Sequence, residues 1–219
     1  MYKLAIFDFD GTLVDSAPGI VEVMKDVVIE LNLDDKVLDT WSTLVGIPLL
    51  RQMEILFPDQ SNEFHEDLAN KYRAKYDTRV IEICPLFPHL QPMLELLRKN
   101  DVLITIATSK RRHLVEEVLD HHQLSGYFTM IVGAQDVTNH KPHPESVHIT
   151  MEKLKVEPAH TVVIGDSSFD LDMAKNAGVD AIGVITGIHT RDLLQKSSPR
   201  HIVNGLEQVT PLILNGRSK

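Results

Sequence analysis

Two aspartates one residue apart, Asp8 and Asp10, open the run Asp8-Phe-Asp-Gly-Thr-Leu-Val-Asp-Ser-Ala17, directly after the apolar Leu4-Ala-Ile-Phe7. An apolar run that stops at two carboxylates reads as a buried strand entering a polar turn. If the strand continues, both carboxylates lie on one side of it, because residues two apart share a face. Gly11 beside them lets a ligand approach the backbone closely. Carboxylates this crowded repel, so the pair calls for a cation to hold it. Taken alone, the run reads equally as an Asp- and Gly-rich surface turn. Three more polar groups stand further along: Thr108-Ser109-Lys110, Lys141 within Asn139-His-Lys-Pro-His-Pro144, and Gly165-Asp166-Ser-Ser-Phe-Asp170.

The elements that must position these groups follow from periodicity. Ser16 is expected to cap a helix with Pro18 in its first turn and Ile20, Met24, Val27, Val28 and Leu31 on its apolar face. Helical spacing recurs around Lys36–Thr43, at Leu49, Met53 and Leu56, and at Phe64, Leu68, Tyr72 and Tyr76. No comparable strand signal interrupts residues 17–80, which predicts an all-helical block. Prolines in Cys84-Pro-Leu-Phe-Pro88 mark a linker. Beyond it the pattern alternates: a helix stripe at Leu90, Met93, Leu94 and Leu97, a strand over Val102–Ala107, a helix over 110–122, and a strand over Phe128–Val132. A helix near 144–155, a strand at Thr161–Ile164, a helix through Leu171, Ala174 and Ala177 closed by Gly178, and a strand over Val179–Val184 follow. Ile202-Val203 is the last short strand candidate.

Such alternation predicts an α/β fold: a Rossmann-like parallel sheet with right-handed crossovers, built from residues 1–16 and 84–219, with residues 17–83 as an inserted all-helical domain. In open α/β sheets ligands bind beyond the carboxyl ends of the strands. All four polar groups fall at or just after such ends.

Bulk composition narrows the classes. The chain has 219 residues, 43% hydrophobic and 24% charged, which is ordinary globular protein. A net charge of −9 argues against nucleic-acid partners, which demand a basic face. Cys84 is the single cysteine, so the chain forms no internal disulfide and no thiolate metal cluster. The apolar start is too short for a signal peptide, no stretch reaches membrane-span length, and Asn215–Lys219 matches no targeting signal, so a cytoplasmic protein without membrane partners is expected. The eleven histidines lack paired metal spacing, and adjacent His121 and His122 are expected on different helix faces. Trp41, Tyr72 and Tyr76 read as packing residues.

In order and spacing these motifs resemble the haloacid dehalogenase superfamily (HAD), and within it the phosphatases that carry a helical cap after the first strand. The resemblance implies that Asp8 is a nucleophile forming an aspartyl-phosphate and that Asp10 protonates the leaving oxygen, then deprotonates water. It implies Mg²⁺ held by Asp8, Asp166 and the backbone carbonyl of Asp10, with Thr108, Ser109 and Thr12 toward the phosphoryl group and Lys141 balancing charge. Asp170 would orient Lys141 or a metal-bound water, and the cap loop at Val45-Gly46-Ile-Pro48, with Arg51 nearby, would face the substrate.

Plain structural roles compete at several positions. Thr108 reads also as a helix cap, Lys141 as a solvated loop lysine, Asp170 as a capping residue and Arg51 as a solvated helix arginine. Asp10 separates the chain from the dehalogenases, which carry a non-acidic residue there. Gly165 departs from β-phosphoglucomutase relatives, which tend to show Glu-Asp, and His89 stands where relatives often have Gly. The pattern most resembles the phosphoglycolate phosphatase group, implying a small phosphorylated metabolite such as 2-phosphoglycolate as substrate for a monomer or homodimer. Pyrophosphate, nucleoside 5′-monophosphates, phosphomutase chemistry and a non-catalytic module are the alternatives.

Overall fold

A computed structural model describes residues 1–216; Arg217–Lys219, part of the stretch read for targeting signals, lie outside the described residues. Its strands are β1 (Leu4–Phe7), β2 (Leu103–Ala107), β3 (Met130–Val132), β4 (Thr161–Gly165), β5 (Asp180–Val184) and β6 (His201–Val203). All pair in parallel, in the order β3-β2-β1-β4-β5-β6. The chain therefore builds outward from β1 on one side, returns, and builds outward again from β4. The point where the order reverses lies between β1 and β4, and there the crossovers diverge to open a crevice.

Both faces of the sheet are covered. Ala5 and Phe7 of β1 enter one apolar cluster while Leu4 and Ile6 enter the other, the two-residue alternation of a central strand. On the first face lie α5 (Leu90–Lys99), α6 (Arg112–His121) and α10 (Val209–Asn215). On the second lie α7 (Glu145–Leu154), α8 (Ser168–Asn176) and α9 (Arg191–Lys196). The expected α5 stripe is buried throughout at Leu90, Met93, Leu94 and Leu97.

Between β1 and α5 run α1 (Ala17–Glu30), α2 (Asp35–Ser42), α3 (Leu49–Leu56) and α4 (Asn62–Asp77). Their buried residues, among them Met24, Trp41, Met53, Leu68 and Tyr76, continue the first cluster without a break. Trp41 is wholly buried and donates its Nε1–H to Gln52 Oε1 at 2.7 Å, while Gln52 Nε2 donates to Ile47 O at 2.8 Å. This relay anchors the Val45–Pro48 loop, because a buried indole N–H needs an acceptor. Among the described residues, no helix is long and apolar enough to cross a membrane.

Three local expectations are corrected. Ser16 stands at the start of α1 but makes no side-chain cap; its hydroxyl is drawn to Asp10 instead. Helix α6 begins at Arg112, since residues 108–111 form a turn. His121 and His122 do not diverge: their rings meet edge to face at 4.9 Å, because His122 already leaves the helical geometry. Helices α9 and α10 were not foreseen; each spans fewer than two turns, and Pro211 sits in the first turn of α10.

His89 precedes α5 with φ of 66°, the left-handed region that L side chains rarely adopt. The position where relatives often carry Gly is thus one that favours Gly on backbone grounds. His89→Gly is expected to raise the thermal unfolding midpoint and His89→Val, β-branched, to lower it by roughly 1–2 kcal/mol or more in stability, as read by denaturant or thermal melts.

Candidate active site

The carboxyl ends of β1 and β4 deliver Asp8 and Asp166 to the crevice at the reversal point. Pairing of β1 continues into the turn, where the Asp8 amide donates to Ile164 O at 2.8 Å. Phe9 O then accepts from the amides of Leu13 and Val14, which folds the chain back and leaves Asp10 at the crevice wall. Gly11, at φ of 74°, is more than a turn former: a Cβ there would meet Asp166 Oδ2 at 2.5 Å. Gly187 approaches the same carboxylate, and a Cβ there would come within 1.7 Å of Oδ2. Asp166 therefore fits where two glycines leave room for its carboxylate. Thr12 donates its hydroxyl to Asp166 Oδ1 at 3.1 Å.

Lys141 reaches under the crevice and joins two carboxylates, with Nζ 2.7 Å from Asp8 Oδ1 and 2.6 Å from Asp170 Oδ1. Its side chain is 6% exposed, so it is no solvated loop lysine. Asp170 combines both roles weighed for it. Its Oδ2 accepts from the Ser167 amide and hydroxyl in a reciprocal cap at the start of α8, while Oδ1 holds Lys141. Gly165 makes room for this: a Cβ there would stand 2.3 Å from the Cβ of Asp170. A glutamate at 165 and Asp170 in its present place exclude each other, which explains the departure from Glu-Asp in physical terms.

One oxygen each from Asp8, Asp166 and Asp170 lie within 4.8 Å of one another. Burial and Asp170 push the Asp8 carboxyl up to about 7, against the pull of Lys141. Burial, then Asp170 and Asp8, hold Asp166 well above the carboxylate range. Burial works against the Lys141 ammonium, yet Asp170 and Asp8 outweigh it and the net shift is upward. Three carboxylates facing one ammonium leave uncompensated negative charge, and their donors are all hard oxygens. That set fits a small divalent cation such as Mg²⁺ and suits soft metals poorly. Asp8 and Asp166 are the better ligands, because both oxygens of Asp170 already accept hydrogen bonds.

Above this floor the cleft encloses about 380 Å³ between the sheet edge and the helices α1, α3 and α4. Asp8, Asp10, Thr108, Ser109, Gly46 and Asp166 line it. Ser109 donates its hydroxyl to Gly46 O at 3.1 Å, and Thr108 Oγ1 accepts from the Lys110 amide at 3.1 Å, a local turn bond and not a helix cap. Two sequence assignments do not hold. Thr12 lies fully buried behind Asp166 and orients that carboxylate, so it does not face substrate. Arg51 projects outward with its side chain 64% exposed and pairs with Glu54 at 2.6 Å, because its position on α3 turns it from the cleft. The residue that sequence reasoning passed over is Lys110, whose Nζ lies 2.9 Å from Asp10 Oδ1. It stands beside Thr108 and Ser109, but no sequence signal reveals its pairing with Asp10.

Residues 5–184 match the family model for haloacid dehalogenase-like hydrolases. The chain belongs to this family. Probable phosphatase IndB of Dickeya dadantii is 34% identical over 95% of this chain and 92% of its own length. A phosphoglycolate phosphatase of Vibrio vulnificus is 27% identical over 97% of this chain and 96% of its own length. A crystal structure of a predicted phosphatase from Clostridium acetobutylicum superposes with a TM-score of 0.87 at 25% identity, covering 98% of this chain and 99% of that one. The family hydrolase fold thus spans core and helical block together.

Two tests follow from the floor of the site. Asp8 carries a folded value of about 7 against an ordinary 3.8, so without divalent metal its ionisation disfavours the folded state. That loss is absent below about pH 3.8, grows as pH rises, and is complete above about pH 7. In chelator at pH 8, Asp8→Asn is expected to melt higher than the parent, and Mg²⁺ to raise the parent's melting point more than the variant's. Gly165→Ala is expected to displace Asp170 from Lys141 and lower kcat on the order of ten- to a hundredfold with the circular-dichroism spectrum retained.

Proposed function

We propose that this family hydrolase is a Mg²⁺-dependent phosphatase of small soluble phosphomonoesters that passes the phosphoryl group through Asp8. The observation that carries the reading is the frame around Asp8: one ammonium at 2.7 Å, and carboxylate oxygens of Asp166 and Asp170 gathered within 4.8 Å. A phosphomonoester dianion repels an attacking carboxylate, so both need charge compensation in place before they meet. Lys141 supplies part of it. Asp8, Asp166 and the backbone carbonyl of Asp10 would hold a Mg²⁺ ion, which would supply the rest as a Lewis acid.

In the proposed reaction an Asp8 oxygen forms a bond to phosphorus as the ester P–O bond breaks. Asp10 gives its proton to the departing oxygen, then takes one from the water that hydrolyses the acyl phosphate, releasing inorganic phosphate and restoring both aspartates. Thr108 and Ser109, at the mouth of β2, are suited to hold phosphoryl oxygens. The helical block over the cleft acts as a cap that excludes bulk water during transfer and limits substrate size.

The names of relatives support 2-phosphoglycolate as the leading substrate. An acidic chain with one buried cysteine fits a small phosphorylated metabolite as partner and a reducing cytoplasm, as monomer or homodimer. Gly165 speaks against phosphomutase chemistry, since Asp170 occupies the space a longer side chain would need.

Phosphate release is expected from 2-phosphoglycolate in preference to pyrophosphate, nucleoside monophosphates and glucose 1-phosphate, with activity lost in chelator. Asp8→Asn is expected to abolish turnover, by at least about 10³-fold, while retaining the fold. Phosphate release that persists in that variant, or in chelator, would overturn the reading. Isomerisation of glucose 1-phosphate without net hydrolysis would favour the mutase alternative instead.

A further inference from the structure

Lys110 is a buried lysine that the reaction above does not use. Its side chain is 6% exposed, and its Nζ meets Asp10 Oδ1 at 2.9 Å. The same ammonium hydrogen-bonds the Tyr76 hydroxyl, from the last turn of α4, and lies 4.4 Å from the centre of the Tyr76 ring. On its other side it stands 5.9 Å from the ring centre of Phe9, the residue between Asp8 and Asp10. Its backbone is fixed as well: the amide donates to Thr108 Oγ1, and its carbonyl accepts from Ala134 at 3.0 Å. A long, flexible side chain is thus fixed at its backbone and at its tip.

What it holds is one half of the Asp10 carboxylate. Ser16 Oγ donates to Oδ1 at 2.6 Å, and Lys110 Nζ binds the same Oδ1. Among the described residues no side chain binds Oδ2, and Asp10 lines the cleft. A carboxylate clamped through one oxygen presents the other at a set place. A buried ion pair adds little net stability over apolar packing of similar volume, so its value here is geometric.

We infer that Lys110 is the positioning residue that aims Asp10 for proton transfer and makes that aim depend on docking of the helical block through Tyr76. The dependence is built from contacts. Tyr76 stacks on Tyr72 at 5.6 Å, Tyr72 packs on buried Trp41 at 5.5 Å, and the Tyr76 hydroxyl also meets Cys84 Sγ at 3.4 Å beside the linker. Where the block lifts away, Lys110 loses its second anchor, Tyr76, and its hold on Asp10 loosens. Proton transfer is then ready when the cleft is covered, which protects the acyl phosphate step from misdirected water.

The inference rests on the proposed role of Asp10 as proton donor, and leaving-group chemistry separates the two. An alkoxide needs a proton as it departs, whereas p-nitrophenolate leaves without one. The quantity to measure is kcat/KM, which reports steps up to departure of the alcohol, with glycerol 2-phosphate and p-nitrophenyl phosphate as substrates. Lys110→Met is expected to lower kcat/KM for the alkyl ester on the order of a hundredfold and for the aryl ester by less than about tenfold. Tyr76→Phe, which keeps the ring and removes the hydroxyl, is expected to shift the same ratio in the same direction by a smaller factor. A purely structural Lys110 would lower both substrates alike, and that result overturns the inference. Asp10→Asn is the reference. If it changes the alkyl-to-aryl ratio and Lys110→Met does not, the positioning role fails while the proton-donor role stands. If Asp10→Asn lowers both substrates equally, the assignment of Asp10 fails and the inference fails with it.

Discussion

The structure depends on mutual repulsion among carboxylates brought to one place. Asp8, Asp166 and Asp170 lie close enough for their oxygens to share a divalent ion, against the single ammonium of Lys141. In water such a group would separate or take up protons. Burial at the strand ends prevents the first, and the raised Asp8 and Asp166 values register the second. The folded state therefore holds a site that disfavours its own empty form and gains from a cation. A divalent cation bound there would relieve that repulsion, which is how stability and chemistry become opposed at one spot.

The sheet makes this crowding reachable. Order reversal between β1 and β4 opens a crevice where neither crossover covers the strand ends, and parallel register brings Phe7 opposite Ile164, so Asp8 emerges beside Gly165 with Asp166 one residue beyond. Glycine then clears the space. Asp166 fits only because Gly11 and Gly187 carry no side chain, and Asp170 fits because Gly165 carries none. Carboxylate placement here is set as much by absent atoms as by hydrogen bonds.

The helical block joins the site through polar contacts laid over a continuous apolar core. Three successive residues after β2 meet it: Ser109 at Gly46, Lys110 at Tyr76 and Arg111 at Asp77. Each contact spans the cleft mouth, so block and sheet edge share one set of hydrogen bonds with the groups assigned to phosphate and proton handling. Asp10 lies where these meet the first strand, clamped by Ser16 from the start of α1 and by Lys110 from the end of β2.

Much was legible in the linear chain. Period-two and helical apolar patterns are local, so β1, β2, β4 and β5 and the stripe of α5 were read nearly to the residue, and the polar groups at strand ends followed from them. Family resemblance pointed to Asp8, Asp10, Thr108, Ser109, Lys141, Asp166 and Asp170, and the structure gathers them at one cleft and its floor. Short helices α9 and α10 escaped because fewer than two turns hold too little periodicity to register. Thr12 and Arg51 were misassigned for another reason: residue type and neighbourhood do not say which way a side chain leaves the backbone. That Thr12 turns behind Asp166 and Arg51 turns to solvent is decided by packing of the turn and of α3. The partnership of Lys110 with Tyr76 joins positions 34 residues apart on different elements, and nothing local encodes it. By itself the sequence determined the fold class, the strand ends and the identity of the acidic groups, since these depend on local pattern. Only the tertiary structure decided which groups share an oxygen, which glycines make room, and which cation attends Asp10, because those are relations of distance between elements that meet once the chain has folded.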